Sequence, residues 1–136
     1  MRPTLWMALW AALLCLGLVG CGEVQTTIHE TSEVWDTDDN QGPYQVFATV
    51  ESDLKPLKVS LVYTTDGWKT RKTLTMESIS TDVYRAQLPG QKAGTRIEYF
   101  VMAEDGDSNK ITDPKEAVNY LQGVNKGLTY RFQVLR

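Results

Sequence analysis

The chain has 136 residues, 23% charged and 42% hydrophobic, enough for one small domain with appendages and too little for a second core. A net charge of −3, with no cluster of Lys and Arg, excludes a protein that lives on phosphate contacts, so nucleic acid is not an expected partner. Both cysteines, Cys15 and Cys21, precede the region that can fold, so the domain has no disulfide or thiolate metal site and is held by packing alone.

Residues 1–20 read as an export signal. Arg2 is the only charge before Glu23, and Leu5 to Val19 is apolar throughout. About 15 apolar residues fall short of the ~20 that a helix needs to cross a ~30 Å hydrocarbon core, and small residues close the segment, as in a cleaved signal. It ends Leu18-Val19-Gly20-Cys21. This tetrapeptide resembles the lipobox of bacterial lipoproteins, in which a branched residue and two smaller ones precede a Cys that is lipidated before a dedicated signal peptidase cuts. The resemblance implies peptidase recognition through Leu18, Val19 and Gly20, with diacylglycerol and an N-acyl chain such as palmitate on Cys21. No other cofactor is expected. Each buried methylene contributes about 0.8 kcal/mol and two or more chains anchor stably, so a membrane is the expected partner. In enteric lipoproteins an Asp after the Cys retains the protein at the inner membrane; Gly22 departs from that, which implies the outer membrane of the cell envelope.

From residue 21 to residue 43 the sequence is polar and aperiodic, with an acidic cluster at Asp36-Thr37-Asp38-Asp39-Asn40. It buries too little apolar surface to offset its ordering entropy, so a flexible acidic tether is expected. Such a tether reaches roughly 25 Å on average and at most about 70 Å. His29, the sole histidine, is expected to be solvated, and Trp35 to dock back onto the domain.

Residues 44–136 change to a period of two. Leu57, Val59, Leu61 and Tyr63 face one way and Lys58, Ser60 and Thr64 the other, with Val62 breaking the alternation. The same reading predicts strands near 44–50, 68–76, 83–88, 96–104 and 128–135, separated by turn signals such as Asp66-Gly67, Pro89-Gly90, Asp105-Gly106 and Asp113-Pro114. One helical turn fits Lys115 to Leu121. Strands of this length and spacing predict an all-β fold, a single antiparallel sandwich.

The order Gly42-Pro43-Tyr44, Trp68, Met76, Tyr84-Arg85-Ala86, Leu88-Pro89, Gly94-Thr95, Glu98-Tyr99-Phe100 and Ala103-Glu104-Asp105 resembles fibronectin type III and immunoglobulin-like modules of bacterial secreted proteins. The resemblance implies that fold and no active site, although the bridging cysteines of immunoglobulin domains are missing.

Chemistry is sparse. With one imidazole, placed outside the domain, Ser-His-Asp, Cys-His and His-based zinc arrangements are excluded, so no enzyme is expected. Glu98 and Glu104 could pair as glycosidase carboxylates but alternate onto a solvent face. Asp105, Asp107 and Asn109, with Asp113 and Glu116 further on, resemble a calcium loop; Lys110 in place of the required Gly and the internal Pro114 instead favour a turn and no metal. Asp36, Asp38 and Asn40 repeat the alternation more weakly. Two contact surfaces remain. Tyr63, Trp68 and Tyr84 look loosely like the aromatics of starch-binding modules, a glycan-contact set. Phe100 and Met102 make the strand around them apolar on both faces, which requires either cover on both sides or a protein-contact patch. The expected function is thus a lipid-anchored, non-enzymatic binding or structural module of the envelope, or alternatively a surface glycan-binding lipoprotein.

Overall fold

The computed structural model describes residues 25–124 and 127–136, so the Leu18 to Cys21 motif and the export signal lie outside the described residues. Among the described residues nine strands are formed: β1 (Thr26–Thr31), β2 (Tyr44–Ser52), β3 (Lys58–Thr64), β4 (Lys72–Thr75), β5 (Glu77–Ser80), β6 (Val83–Leu88), β7 (Arg96–Glu104), β8 (Lys110–Asp113) and β9 (Tyr130–Gln133). One sheet runs β1-β2-β6-β5; the other runs β4-β3-β7, with β8 and β9 sharing the far edge of β7. Pairing between neighbouring strands is antiparallel. This is the expected all-β sandwich, in the strand order of immunoglobulin-like folds with one extra strand beside the third. Among the described residues no helix is long and apolar enough to cross a membrane.

The core follows from alternation. In β2, Tyr44, Val46, Ala48 and Val50 point inward while Gln45, Phe47 and Glu51 point out. In β7, Ile97, Tyr99, Val101 and Ala103 meet them from the opposite sheet, joined by Val59, Leu61, Leu88 and Phe132. Full burial of each such side chain contributes about 1.5–3 kcal/mol.

The expected flexible tether is corrected from residue 26 onward. β1 pairs with β2 from Thr26 opposite Ser52 to Thr31 opposite Ala48, with a bulge between Ile28 and Glu30. Beyond it the chain crosses to the other sheet: Val34 N donates to the Tyr99 hydroxyl (3.0 Å), which donates to Ser32 O (3.0 Å), and Thr37 pairs in parallel with Val134. An edge strand has to bury only one face, and Ile28 and Thr31 suffice for that, with Val34 packing on the core from the crossover. Trp35, expected to dock, instead stands 79% exposed.

The last edge strand is split. β8 covers Val101 to Glu104 and β9 covers Arg96 to Tyr99 of the same β7 edge. Pro114 cannot donate to a ladder and ends β8. The chain then forms a 3-10 turn (Lys115–Ala117) and α1 (Val118–Leu121), where the helical turn was expected, before rejoining β7. Asp113 and Tyr130 close the neck of this flap, the Tyr130 hydroxyl donating to Asp113 Oδ2 at 2.8 Å.

Candidate functional site

The outward face of the β3-β7 pair carries Val62, Phe100 and Met102, the residues that broke the sequence alternation. The flap lies over them. Phe100 is 0% exposed and forms a second small core with Val62, Ala117 and Tyr120, against which Trp68, Met102 and Leu121 pack. Trp68 stacks on Tyr120 at 4.5 Å between ring centroids and on Phe100 at 5.5 Å. Arg71 Nη1 donates to Tyr120 O at 2.6 Å and fastens the flap from the β3-β4 turn. Phe100 is therefore not part of a protein-contact patch, being covered on the outer face by its own chain, and Met102 is partly covered beside it.

The glycan-contact set is also corrected. Tyr63 is 3% exposed in the main core, and Tyr84 packs against that core from the other sheet. Trp68 is partly buried beneath Tyr120, with its Nε1–H enclosed rather than offered to a ligand. Tyr63 and Tyr84 pack on the main core from opposite sheets and Trp68 on the second, so no aromatic platform is formed. The turn that carries Trp68 is built by its neighbours. Gly67 and Trp68 both adopt left-handed backbone, each with φ of 69°. That conformation costs a non-glycine residue roughly 1–2 kcal/mol, which the stacking of Trp68 offsets. Asp66 accepts from Thr70 N and Thr70 Oγ1 and from Thr64 Oγ1, and these hydrogen bonds hold its carboxyl at about 2, below the usual 3.8.

The calcium-like residues form a self-capped turn. Asp105 is buried; Asp107 N and Asn109 N donate to its Oδ1, each at 3.0 Å, and Thr26 Oγ1 donates to its Oδ2 at 3.2 Å. Burial alone would raise this carboxyl, but the donors from Asn109, Asp107 and Thr26 outweigh it and the net shift is downward. Asn109 turns its amide nitrogen, not its oxygen, toward Asp105. Asp113 is instead engaged with Tyr130, so the oxygens of the sequence pattern do not converge. In the acidic cluster, Asp36 accepts from Gln133 N and Asp39 from Gln41 N and Gly42 N. Among the described residues no three His, Cys, Asp or Glu side chains group to hold a metal.

Glu98 and Glu104 stand six positions apart on β7, roughly 20 Å at the rise of a strand, beyond the ~5–9.5 Å that glycosidase carboxylates require. Glu98 lies by Arg96 and Glu104 by Lys110. His29 pairs with Glu51 across β1 and β2 at 3.1 Å, on the surface. The role of Tyr99 in fixing residues 32–34 was not foreseen, since a hydroxyl on an inward strand position gives no sign of its partner. A groove of about 490 Å³ runs between the edge strands β1 and β8, lined by Thr26, Ile28, Ile111 and Val118 with Lys110 and Lys115 at its rim. No protein-family model matches the chain, and no curated protein matches it significantly.

Proposed function

We propose that the mature protein is a lipoprotein of the bacterial cell envelope, held at the outer membrane by acyl chains on Cys21. Its non-enzymatic β-sandwich acts by contact with an envelope protein. The anchor reading rests on Leu18-Val19-Gly20-Cys21 behind a short apolar run. The contact reading rests on one observation: Trp35 is left 79% exposed on backbone that is fixed on both sides, at Val34 by Tyr99 and at Thr37 by Gln133, whose N–H also donates to the Asp36 carboxylate. A rigid, solvated Trp is the residue type that most often dominates binding at interfaces. By contrast, Asp66, Asp105, Asp113, Tyr99 and Tyr130 are engaged within the fold.

Two measurements test this. Radiolabelled palmitate is expected to enter the parent and not Cys21→Ser, which should leave the membrane fraction; equal labelling removes the anchor. A photoreactive benzoylphenylalanine at position 35 is expected to give a discrete cross-linked adduct in cells, whereas the same residue at exposed Gln87 should not. Equal or absent adducts at both positions remove the contact role of Trp35.

A further inference from the structure

The anchor and the fold are closer in sequence than a tether would allow. Thr26, the first residue of β1, is already locked: its Oγ1 lies 2.7 Å from Ser52 Oγ and donates to Asp105 Oδ2. Residues 22–25 alone separate it from Cys21. At ~3.3–3.6 Å per residue the five steps from Cys21 to Thr26 span at most about 18 Å. Nine-residue β2 is itself about 30 Å long.

Thr26 sits at one end of the sandwich. Register places there the end of β2 (Ser52), the start of β3 (Lys58), the end of β7 (Glu104) and the start of β8 (Lys110). The two loops of that end, residues 53–57 and 105–109, are joined: Gly106 N donates to Leu54 O at 3.2 Å. A Cβ on Gly106 would meet Lys55 O at 2.3 Å, so only glycine permits this approach. The far end carries residues 64–70, 89–95 and the C-terminal Leu135 and Arg136, opposite the starts of β2 and β7. At the near end the cations Lys55, Lys58 and Lys110 are outnumbered by the carboxylates Asp53, Glu104, Asp105 and Asp107, which offers no net attraction to anionic lipid.

We infer that the end of the sandwich formed by residues 53–57 and 105–109 is its bilayer-facing surface, held against lipid headgroups by the short covalent leash rather than by affinity. This rests on the proposed lipidation of Cys21. A leash of about 18 Å fixed at one end of a ~30 Å body cannot bring the opposite end down to the headgroups while the near end points away.

Maturation leaves no free thiol beyond residue 21, so a single new cysteine can be labelled. Full-length protein is expressed with Asp53→Cys, Asp107→Cys or Ala93→Cys, labelled with a fluorophore, and reconstituted in phosphatidylethanolamine–phosphatidylglycerol vesicles containing headgroup-nitroxide lipid. The expected result is loss of most of the emission at 53 and 107 and little loss at 93. A Gly/Ser insertion of ~20 residues after Gly22, which adds roughly 25 Å of average reach, is expected to abolish the contrast. Equal quenching at all three positions in protein that floats with the vesicles overturns the orientation alone. Protein that does not float overturns the lipid anchor and the orientation with it.

Discussion

Thr64, Asp66 and Thr70 close the β3-β4 turn through one another's side chains. The low Asp66 pKa, about 2, is set first by the Thr70 hydroxyl and then by the Thr70 amide, so Thr70→Val should move it toward 3.8, as read by carboxyl NMR titration. An unmoved titration would show that the hydroxyl is not the cause. Because the folded pKa lies below the unfolded value, these bonds stabilise the fold above about 3.8 and are lost as pH falls toward 2. That this was a turn is legible in Asp66-Gly67. The two uses of Asp105 are not equally legible: oxygens at alternate positions serve a calcium loop and a self-capped turn alike, and what separates them is the backbone donors of Asp107 and Asn109 on Asp105 and the engagement of Asp113 with Tyr130, which no spacing reveals.

The central strands were readable, as were the edge strands β4 and β9 within 68–76 and 128–135; β1, β5 and β8 were not. β2, β3, β6 and β7 each lie between two neighbours and show inward positions that the sequence alternation picks out, broken in β3 and β7 where Val62 and Phe100 are buried on the outer face by the flap. β5 and β8 have four residues each, too few for a period, and β1 offers little more than Ile28 and Thr31 to the interior. Yet β1 and the crossover after it complete the core. A fragment of residues 42–136, which holds all of the region that periodicity marks out from residue 44, would strand the Tyr99 hydroxyl, at about 1–3 kcal/mol, and uncover apolar surface matched by Ile28 and Val34. Half-burial of those two adds roughly 1 kcal/mol each. The fragment should therefore be less stable than residues 25–136 by about 3 kcal/mol or more, a large part of a small domain's margin. Urea midpoints of the two fragments decide this; coincident curves would make residues 25–41 an ornament of the fold.

On the scale of the whole molecule, three parts of the chain meet at one place. The crossover of residues 32–34 hangs on Tyr99, Tyr130 stacks on Tyr99 at 5.4 Å, and Tyr130 ties the neck of the flap through Asp113. Both phenols must stay protonated to keep these bonds. Burial pushes Tyr99 up to about 12, and burial with the neighbouring Asp113 carboxylate raises Tyr130 further. In the unfolded chain a tyrosine gives up its proton near 10. Between about 10 and 12 the unfolded state therefore binds fewer protons than the folded one, and stability must fall as pH rises, by up to about 1.4 kcal/mol per pH unit for Tyr99 and by less for the more exposed, solvent-screened Tyr130. Below 10 neither contributes a slope. Urea midpoints between pH 8 and 12 should be level at first and then drop, and Tyr99→Phe, although less stable throughout, should drop less steeply because one of the two coupled protons is gone. Equal slopes in parent and variant would mean that the Tyr99 hydroxyl is not what holds the N-terminal crossover to the sheet.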